Sequence, residues 1–108
     1  MKDTNTLEEI QNEIQRQNEK WGEQNHTMIE WQGILMEEVG EAAKEAVDFH
    51  FENKKQTYRD NTEYANLDQA NKAFGMLQRK RIQDYRNELI QVAAVAVQMI
   101  DCLDRNGR

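Results

Sequence analysis

Apolar residues recur every three or four positions along most of this chain, which is the spacing of one face of an α-helix. The first segment shows this spacing at Leu7, Ile10 and Ile14. We therefore predict a first helix over residues 6–20, with these side chains on its inner face. The polar stretch 21–26 interrupts the spacing and predicts a loop.

A second helix is predicted to start after Thr27. Glu30 follows three residues later, which is the arrangement of a capping box, in which each side chain accepts a hydrogen bond from the other residue's backbone N–H. The helical spacing then continues to about His50. Its predicted apolar stripe consists of Leu35, Val39, Ala42, Ala43, Ala46 and Val47.

The second half of the chain predicts a loop and two further helices. Residues 52–61 are polar and predict the loop, and residues 64–77 predict a third helix that ends in the basic run 79–81. A last helix is predicted over residues 82–105, and its centre, 89–100, is apolar on nearly every face. Because such a helix must be buried on all sides, this predicts a subunit interface.

The fold class predicted from these patterns is all-α, a single domain over residues 1–108 built as a bundle of about four helices. The chain has no proline and nearly no strand-type alternation. Hydrophobic residues make up 38% of the chain and its mean hydropathy is −1.00, which is very polar for a self-sufficient monomer. We therefore expect a homodimer or homotetramer, assembled through the apolar C-terminal helix.

Charge and cysteine content narrow the classes of function. A net charge of −6 argues against general nucleic-acid binding, because no large face neutralises phosphates. No segment approaches the roughly 20 apolar residues of a membrane span, and the N-terminus has no apolar signal core. The single cysteine, Cys102, allows no internal disulfide. We expect a cytoplasmic protein with no nucleic-acid or membrane partner.

The strongest candidate chemistry is a cluster of carboxylates. Glu37, Glu38 and Glu41 are neighbours on one face of the second helix, and Glu88 opens the last helix. Like charges so placed repel one another, and a hard divalent cation such as Mg²⁺ would offset the repulsion and leave water positions for phosphate contact. The alternatives are a solvated acidic face and, for Glu88, a surface ion pair with Arg86.

These residues resemble the MazG-like nucleotide pyrophosphohydrolases, which belong to the all-α nucleoside-triphosphate pyrophosphatase superfamily. The family pattern is Glu-Glu-x-x-Glu, a spacer, and Glu-x-x-Asp, and here it reads Glu-Glu-Val-Gly-Glu at 37–41 and Glu-Leu-Ile-Gln at 88–91. The resemblance covers about residues 7–50 and 82–106 and is closest to the short proteins of phages and bacteria. The flanking blocks that strengthen it are 16–26, 34–41, 88–97 and 103–105.

Two departures from the family pattern stand out. The spacer, positions 42–87, is longer than the family usually has, and we interpret its extra part, 51–81, as an insertion that could form a lid, an interface or a basic flap. The Asp of the second motif is Gln91, whose amide oxygen can bind Mg²⁺ but carries no charge. Glu45 and Asp48, one and two turns beyond the first motif, are candidates to supply the negative charge that Gln91 lacks.

The resemblance implies hydrolysis of a (d)NTP to the monophosphate and pyrophosphate, with Mg²⁺ as cofactor and Mn²⁺ as a possible substitute. It implies metal ligands at Glu38, Glu41, Glu88 and Gln91. Glu37 is expected to be a ligand, a residue that orients a ligand, or the general base. Candidate substrate contacts are Lys44, Arg81 and Arg86 for the phosphates and Trp21 or Asn25 for the base.

Two alternatives remain beside the pyrophosphohydrolase. One is a non-catalytic, oligomeric helical interaction module whose metal site is degenerate because of Gln91. The other is a related helical pyrophosphatase that acts on a phosphoribosylated nucleotide. An enzyme should be stabilised by Mg²⁺ and nucleotide, whereas the interaction module should not. A panel of substrates would distinguish the related pyrophosphatase from the pyrophosphohydrolase.

Overall fold

A computed structural model of the chain describes residues 5–63 and 67–107, with side chains described outside 52–68 and Ala70. The described residues form three helices and no strand, which confirms the all-α fold class. The helices are α1 (Thr6–Trp21), α2 (Met28–Glu63) and α3 (Leu67–Asn106).

Local hydrogen bonds explain where α1 begins and ends. The side chain of Asn5 accepts hydrogen bonds from the backbone N–H of Leu7 at 2.9 Å and of Glu8 at 3.4 Å, so it caps the helix. Gly22 follows the last turn with a φ of 75°, a left-handed conformation that glycine adopts without steric strain.

The predicted capping box at the start of α2 is confirmed. The backbone N–H of Thr27 donates to a carboxylate oxygen of Glu30 at 2.9 Å, and the backbone N–H of Glu30 donates to the Thr27 hydroxyl at 3.3 Å. The two hydrogen bonds satisfy donors that have no partner within the helix.

The predicted number of four helices is wrong, because both predicted breaks in the second half are helical. Residues 52–61 were expected to form a loop, yet their backbone continues α2 to Glu63. The expected boundary at 79–81 lies inside α3. Neither stretch contains glycine or proline, and Lys, Gln, Glu and Arg are good helix formers, so polarity alone does not end a helix. Tyr64, taken as part of the third helix, lies outside the described residues.

Both α1 and α2 pack against α3. Trp31 of α2 contacts the later part of α3, near Val95 and Cys102, whereas Glu41 meets Glu88, so α2 and α3 are antiparallel. The described core is small, and partly buried apolar side chains extend it. The core cluster comprises Trp31, Val95 and Cys102, with Ile34, Leu35 and Met99 packed against it.

Several residues predicted on apolar inner faces are exposed instead. Leu7 of α1 is 70% exposed, and Val47 of α2 is 52% exposed. The buried side of α2 contains Ala42, as predicted, but also the half-buried carboxylates Glu38 and Glu45. The buried face of α2 was predicted incorrectly from the apolar pattern, because polar side chains occupy some of the positions that face α3.

The C-terminal part of α3 is not apolar and buried all round in the single chain. Ala94, Gln98 and Cys102 are buried, whereas Leu89 and Ile100 are exposed. The predicted subunit interface therefore remains a prediction. Among the described helices, none is long and apolar enough to cross a membrane.

Candidate metal centre

Three carboxylates from two helices converge between α2 and α3. Glu38 and Glu41 lie three residues apart on one side of α2, and Glu88 lies opposite them on α3. One carboxylate oxygen from each of the three lies within 4.8 Å of the others. We call Glu38, Glu41 and Glu88 the carboxylate triad. The antiparallel packing of α2 on α3 brings them together although positions 42–87 separate them in sequence.

Burial and mutual repulsion make the triad electrostatically unfavourable. Burial raises the pKa of Glu88, and the charges of Glu41 and Glu38 raise it further. Burial also raises the pKa of Glu38, and the charges of Glu41, Glu37 and Glu13 add to that effect. One oxygen each of Glu38 and Glu88 is buried without a hydrogen-bond partner among the described residues. A cation bound between these two carboxylates would be stabilised, because it would pair with the buried oxygens and reduce their mutual repulsion.

Of the two carboxylates expected to compensate for Gln91, Glu45 lies near the triad. One oxygen of Glu45 is buried without a hydrogen-bond partner among the described residues, and its charge contributes to the raised pKa of Glu88. This agrees with the expectation that Glu45 lies near the site. Asp48 instead accepts a hydrogen bond from Lys44 at 3.4 Å.

Glu13 of α1 is the neighbour that the sequence did not reveal. It accepts hydrogen bonds from Arg16 at 2.6 and 3.0 Å and from Gln17 at 2.8 Å. The hydrogen bond from Arg16 is the largest of the effects that hold the pKa of Glu13 below its ordinary value. Only the docking of α1 on α3 puts Glu13 close enough to affect Glu38, and no local motif signals that docking.

Gln91 and Glu37 lie on different helices and have different surroundings. Gln91, one turn after Glu88, is half-buried and lines an open groove between α1 and α3 with a volume of about 480 Å³. Glu37 is exposed and acts on Glu38 through its charge. The other residues that line the groove are Glu9, Asn12, Glu13, Arg16, Asn87 and Ile90.

The three predicted phosphate-binding cations have different surroundings. Arg86 forms an ion pair with Glu9 across the α1–α3 contact. Lys44 is largely exposed, and its ion pair with Asp48 is a weak surface contact. Arg81 is half-buried two turns before Glu88, and its Nε atom is buried without a hydrogen-bond partner among the described residues.

The two predicted base-binding residues lie towards the other end of the molecule. Asn25 accepts hydrogen bonds from Arg105 at 3.1 Å and Asn106 at 3.0 Å. Arg105 is 17 residues beyond Glu88 on α3, or about 25 Å along the helix axis. Trp21 is 65% exposed at the end of α1, with the Lys20 ammonium 4.8 Å from its ring centre. The structure therefore does not bring Trp21 or Asn25 to the triad.

No family model, curated protein or solved structure matches this chain in sequence or fold comparisons. The chemistry of the site therefore rests on its own donor atoms. All three donors of the triad are carboxylate oxygens, which suit the hard cations Mg²⁺ and Mn²⁺ and do not suit metals that prefer sulfur or nitrogen. The buried oxygens without partners fit such a cation.

Proposed function

We propose that this protein is a Mg²⁺-dependent nucleotide pyrophosphohydrolase of the MazG-like type, which converts a (d)NTP to the monophosphate and pyrophosphate. The observation that carries the proposal is the convergence of Glu38, Glu41 and Glu88 to within 4.8 Å from two separate motifs. If the acidic face of α2 served only solubility, there would be no reason for the carboxylate of Glu88 on α3 to lie against it. The raised pKa values of Glu38 and Glu88 support a site that functions with a bound cation.

In this proposal the triad holds the metal, with Mn²⁺ able to replace Mg²⁺. When bound, the cation supplies positive charge that neutralises the phosphates of the substrate. Gln91 lies one turn from Glu88 and offers a neutral oxygen or a hydrogen bond to the same region. Glu45 adds negative charge beside Glu88 and compensates in part for the missing Asp.

The remaining residues bind the substrate and assist the displacement. Water attacks the α-phosphorus, the bond to the bridging oxygen breaks, and pyrophosphate leaves. Glu37, exposed beside Glu38, accepts the proton of the attacking water. Arg81 has a free buried Nε among the described residues and binds the leaving pyrophosphate. The groove between α1 and α3 receives the nucleoside, with the amides of Asn12 and Asn87 at its walls.

The direct test is pyrophosphate release from a panel of canonical and modified (d)NTPs, with Mg²⁺, with Mn²⁺ and with EDTA. We expect metal-dependent release with a preferred nucleotide. Glu41→Gln and Glu88→Gln should lower the rate at least about 100-fold, because each removes charge that holds the cation. The matched control is Glu19→Gln, which makes the same change at an exposed position of α1. Full activity in either triad variant would overturn the assignment.

A non-catalytic helical interaction module is the second candidate, and Gln91 in place of Asp is the observation that favours it. A ligand that binds the folded state must raise its melting temperature. The module predicts no such rise with Mg²⁺ and a nonhydrolysable nucleotide, whereas the enzyme predicts a rise that Glu88→Gln abolishes. A phosphoribosylated nucleotide in the substrate panel tests the related pyrophosphatase activity.

A further inference from the structure

A chain of hydrogen bonds runs from the buried side of α3 to the carboxylate of Glu13. Gln98 is only 7% exposed, and its amide Nε2 donates to the side-chain carbonyl oxygen of Gln17 at 2.6 Å. The Nε2 of Gln17 in turn donates to Glu13 at 2.8 Å. Gln98 and Gln17 are 81 positions apart in sequence, so this hydrogen-bond chain forms only when α1 packs on α3.

The direction of the hydrogen-bond chain is fixed at both ends. An ionised carboxylate can only accept hydrogen bonds, so Gln17 must turn its N–H groups towards Glu13 and its carbonyl oxygen towards Gln98. Gln98 must then donate, and its Nε2 also donates to the backbone carbonyl oxygen of Ala94 at 3.2 Å. Turning either amide around would set two acceptors against each other. The order of donors and acceptors therefore allows one arrangement.

Glu13 lies between two points at which α1 is attached to α3. Glu9, Glu13 and Gln17 follow one another at four-residue spacing, which places them on one face of α1. Arg86 binds Glu9 at one end of this face, and Gln98 binds Gln17 at the other. Because both ends are attached, the rotation of α1 about its own axis is restricted. The carboxylate of Glu13 is therefore held on the side of α1 that faces α3.

From that position Glu13 can act on a cation in the triad. It lines the groove between α1 and α3 together with Gln91, and it is close enough to Glu38 for its charge to act there. Its side chain is only 15% exposed. Bound Mg²⁺ keeps several water ligands, and a fixed carboxylate nearby can accept hydrogen bonds from them. Glu13 can thus strengthen the binding of a cation that it does not ligate.

We propose that Gln98 and Gln17 are positioning residues, which hold the carboxylate of Glu13 at the wall of the groove beside the triad. Arg16 binds the same carboxylate from within α1, whereas Gln98 connects it to the helix that carries Glu88. The role rests on the proposed function for the cation, Mg²⁺, whereas the hydrogen-bond chain is independent of it. A pair of glutamines that served only the packing of α1 would stabilise the fold and leave Mg²⁺ affinity unchanged.

Calorimetric titration with Mg²⁺ in the absence of nucleotide tests the positioning role. Gln98→Met keeps the length of the side chain and removes its donor, so we expect about twofold weaker binding of Mg²⁺. Combined with Glu13→Gln, it should weaken binding no further, because Gln98 acts through Glu13. Additive losses in the double variant, or unchanged affinity in Gln98→Met, would overturn the proposal.

Two further variants complete this titration. Gln17→Met, at a half-buried position, breaks the same hydrogen-bond chain one step nearer Glu13 and should weaken Mg²⁺ binding to the same extent. It also decides the matter if Gln98→Met does not fold. Gln11→Met is the matched control, because it makes the same substitution at an exposed position of α1 and should leave the affinity unchanged.

Thermal unfolding in EDTA tests the hydrogen-bond chain without any cation. Gln98→Met and Glu13→Gln together should lower the melting temperature by less than the sum of their separate effects, because both act on one chain. Additive effects would overturn the proposal even if the wild-type protein binds Mg²⁺. Coupled effects in a wild-type protein that binds no Mg²⁺ would instead overturn the proposed function and leave the positioning of Glu13 in place.

Discussion

Arg86 of α3 donates two hydrogen bonds to the carboxylate of Glu9 of α1, at 2.8 and 2.6 Å. The two side chains are only 27% and 26% exposed, and the paired geometry fixes the guanidinium. This ion pair links α1 to α3 beside the groove that Gln91 lines. Arg86 therefore has a structural partner of its own, although its sequence position suggested phosphate binding.

We expect Arg86→Ala to lower the melting temperature by a few degrees, because it removes two charge-assisted hydrogen bonds between α1 and α3. Arg86→Lys should recover only part of the loss, since an ammonium cannot make the paired contact. A double-mutant cycle with Glu9→Ala measures the coupling by chemical denaturation. If Arg86→Ala instead raised KM for nucleotide without loss of stability, the residue would bind substrate.

Neutralising the triad should stabilise the metal-free protein. Glu38→Gln and Glu88→Gln each remove a half-buried charge that repels its neighbours, so we expect about 0.5 kcal/mol of added stability. This corresponds to a rise in melting temperature of about 2–4 °C. The measurement is thermal unfolding in EDTA, with Glu19→Gln as control. A loss of stability in both variants would mean that these carboxylates have stabilising partners.

The same repulsion gives a pH dependence with a defined sign. The pKa of Glu38 is raised in the folded state, so between its ordinary value and the raised one the native protein binds more protons than the unfolded chain. The free energy of unfolding from this group then falls as pH rises through that window. The stability gap between Glu38→Gln and wild type should therefore narrow from pH 7 towards pH 5. A gap that widens on acidification would contradict the assigned sign.

Gln91→Asp tests whether the altered motif limits metal binding. Gln91 lies one turn from Glu88, and the substitution restores the Glu-x-x-Asp pattern and adds one negative charge. We expect Mg²⁺ to bind several-fold more tightly, as measured by calorimetry or by its effect on the melting temperature. Asn87→Asp is a matched control, because it adds the same charge in the same groove outside the motif. Equal effects of the two variants would show a general electrostatic attraction.

The sequence predicted the elements of this fold better than their faces and ends. The capping box of Thr27 and Glu30 is local chemistry, and it was predicted correctly. The end of α2 and the break predicted at 79–81 inside α3 were wrong, because polar runs such as 52–61 have neither proline nor glycine to stop a helix. Local patterns located the starts of α1 and α2 and the end of α3, but not the extent of the long helices.

At the candidate site too, neighbours along one helix were predicted, whereas contacts between helices were harder to predict. The spacing of Glu38 and Glu41 places them on one helix face, and the structure adds Glu88 across the gap. The packing of α1 was not predicted, since the side-chain hydrogen bonds that join it to α3 link residues far apart in sequence, Glu9 with Arg86 and Gln17 with Gln98. Glu13 was therefore missed. Asn25 was predicted to bind the base, yet it contacts Arg105, which lies about 25 Å from Glu88 along the axis of α3. Which helix covers a site depends on tertiary packing, which a single motif does not encode.

Glu13 provides a test of the role of α1 in the site. Its charge acts on Glu38 from a third helix, while Arg16 and Gln17 hold its carboxylate by hydrogen bonds. Glu13→Gln should weaken Mg²⁺ binding about two- to threefold, because it removes a nearby negative charge without removing a ligand. It should also bring the pKa of Glu38 closer to its ordinary value, which can be followed by NMR titration of the carboxyl carbon.

Glu8→Gln is the matched control, since it removes the same charge from an exposed position of α1. A loss of Mg²⁺ binding as complete as that of Glu88→Gln would make Glu13 a direct ligand, and α1 would then be part of the metal centre. No change in either Mg²⁺ affinity or the pKa of Glu38 would mean that α1 lies too far from the triad to influence it. A moderate, charge-specific effect is the outcome that the observed geometry requires, because Glu13 is already engaged by Arg16.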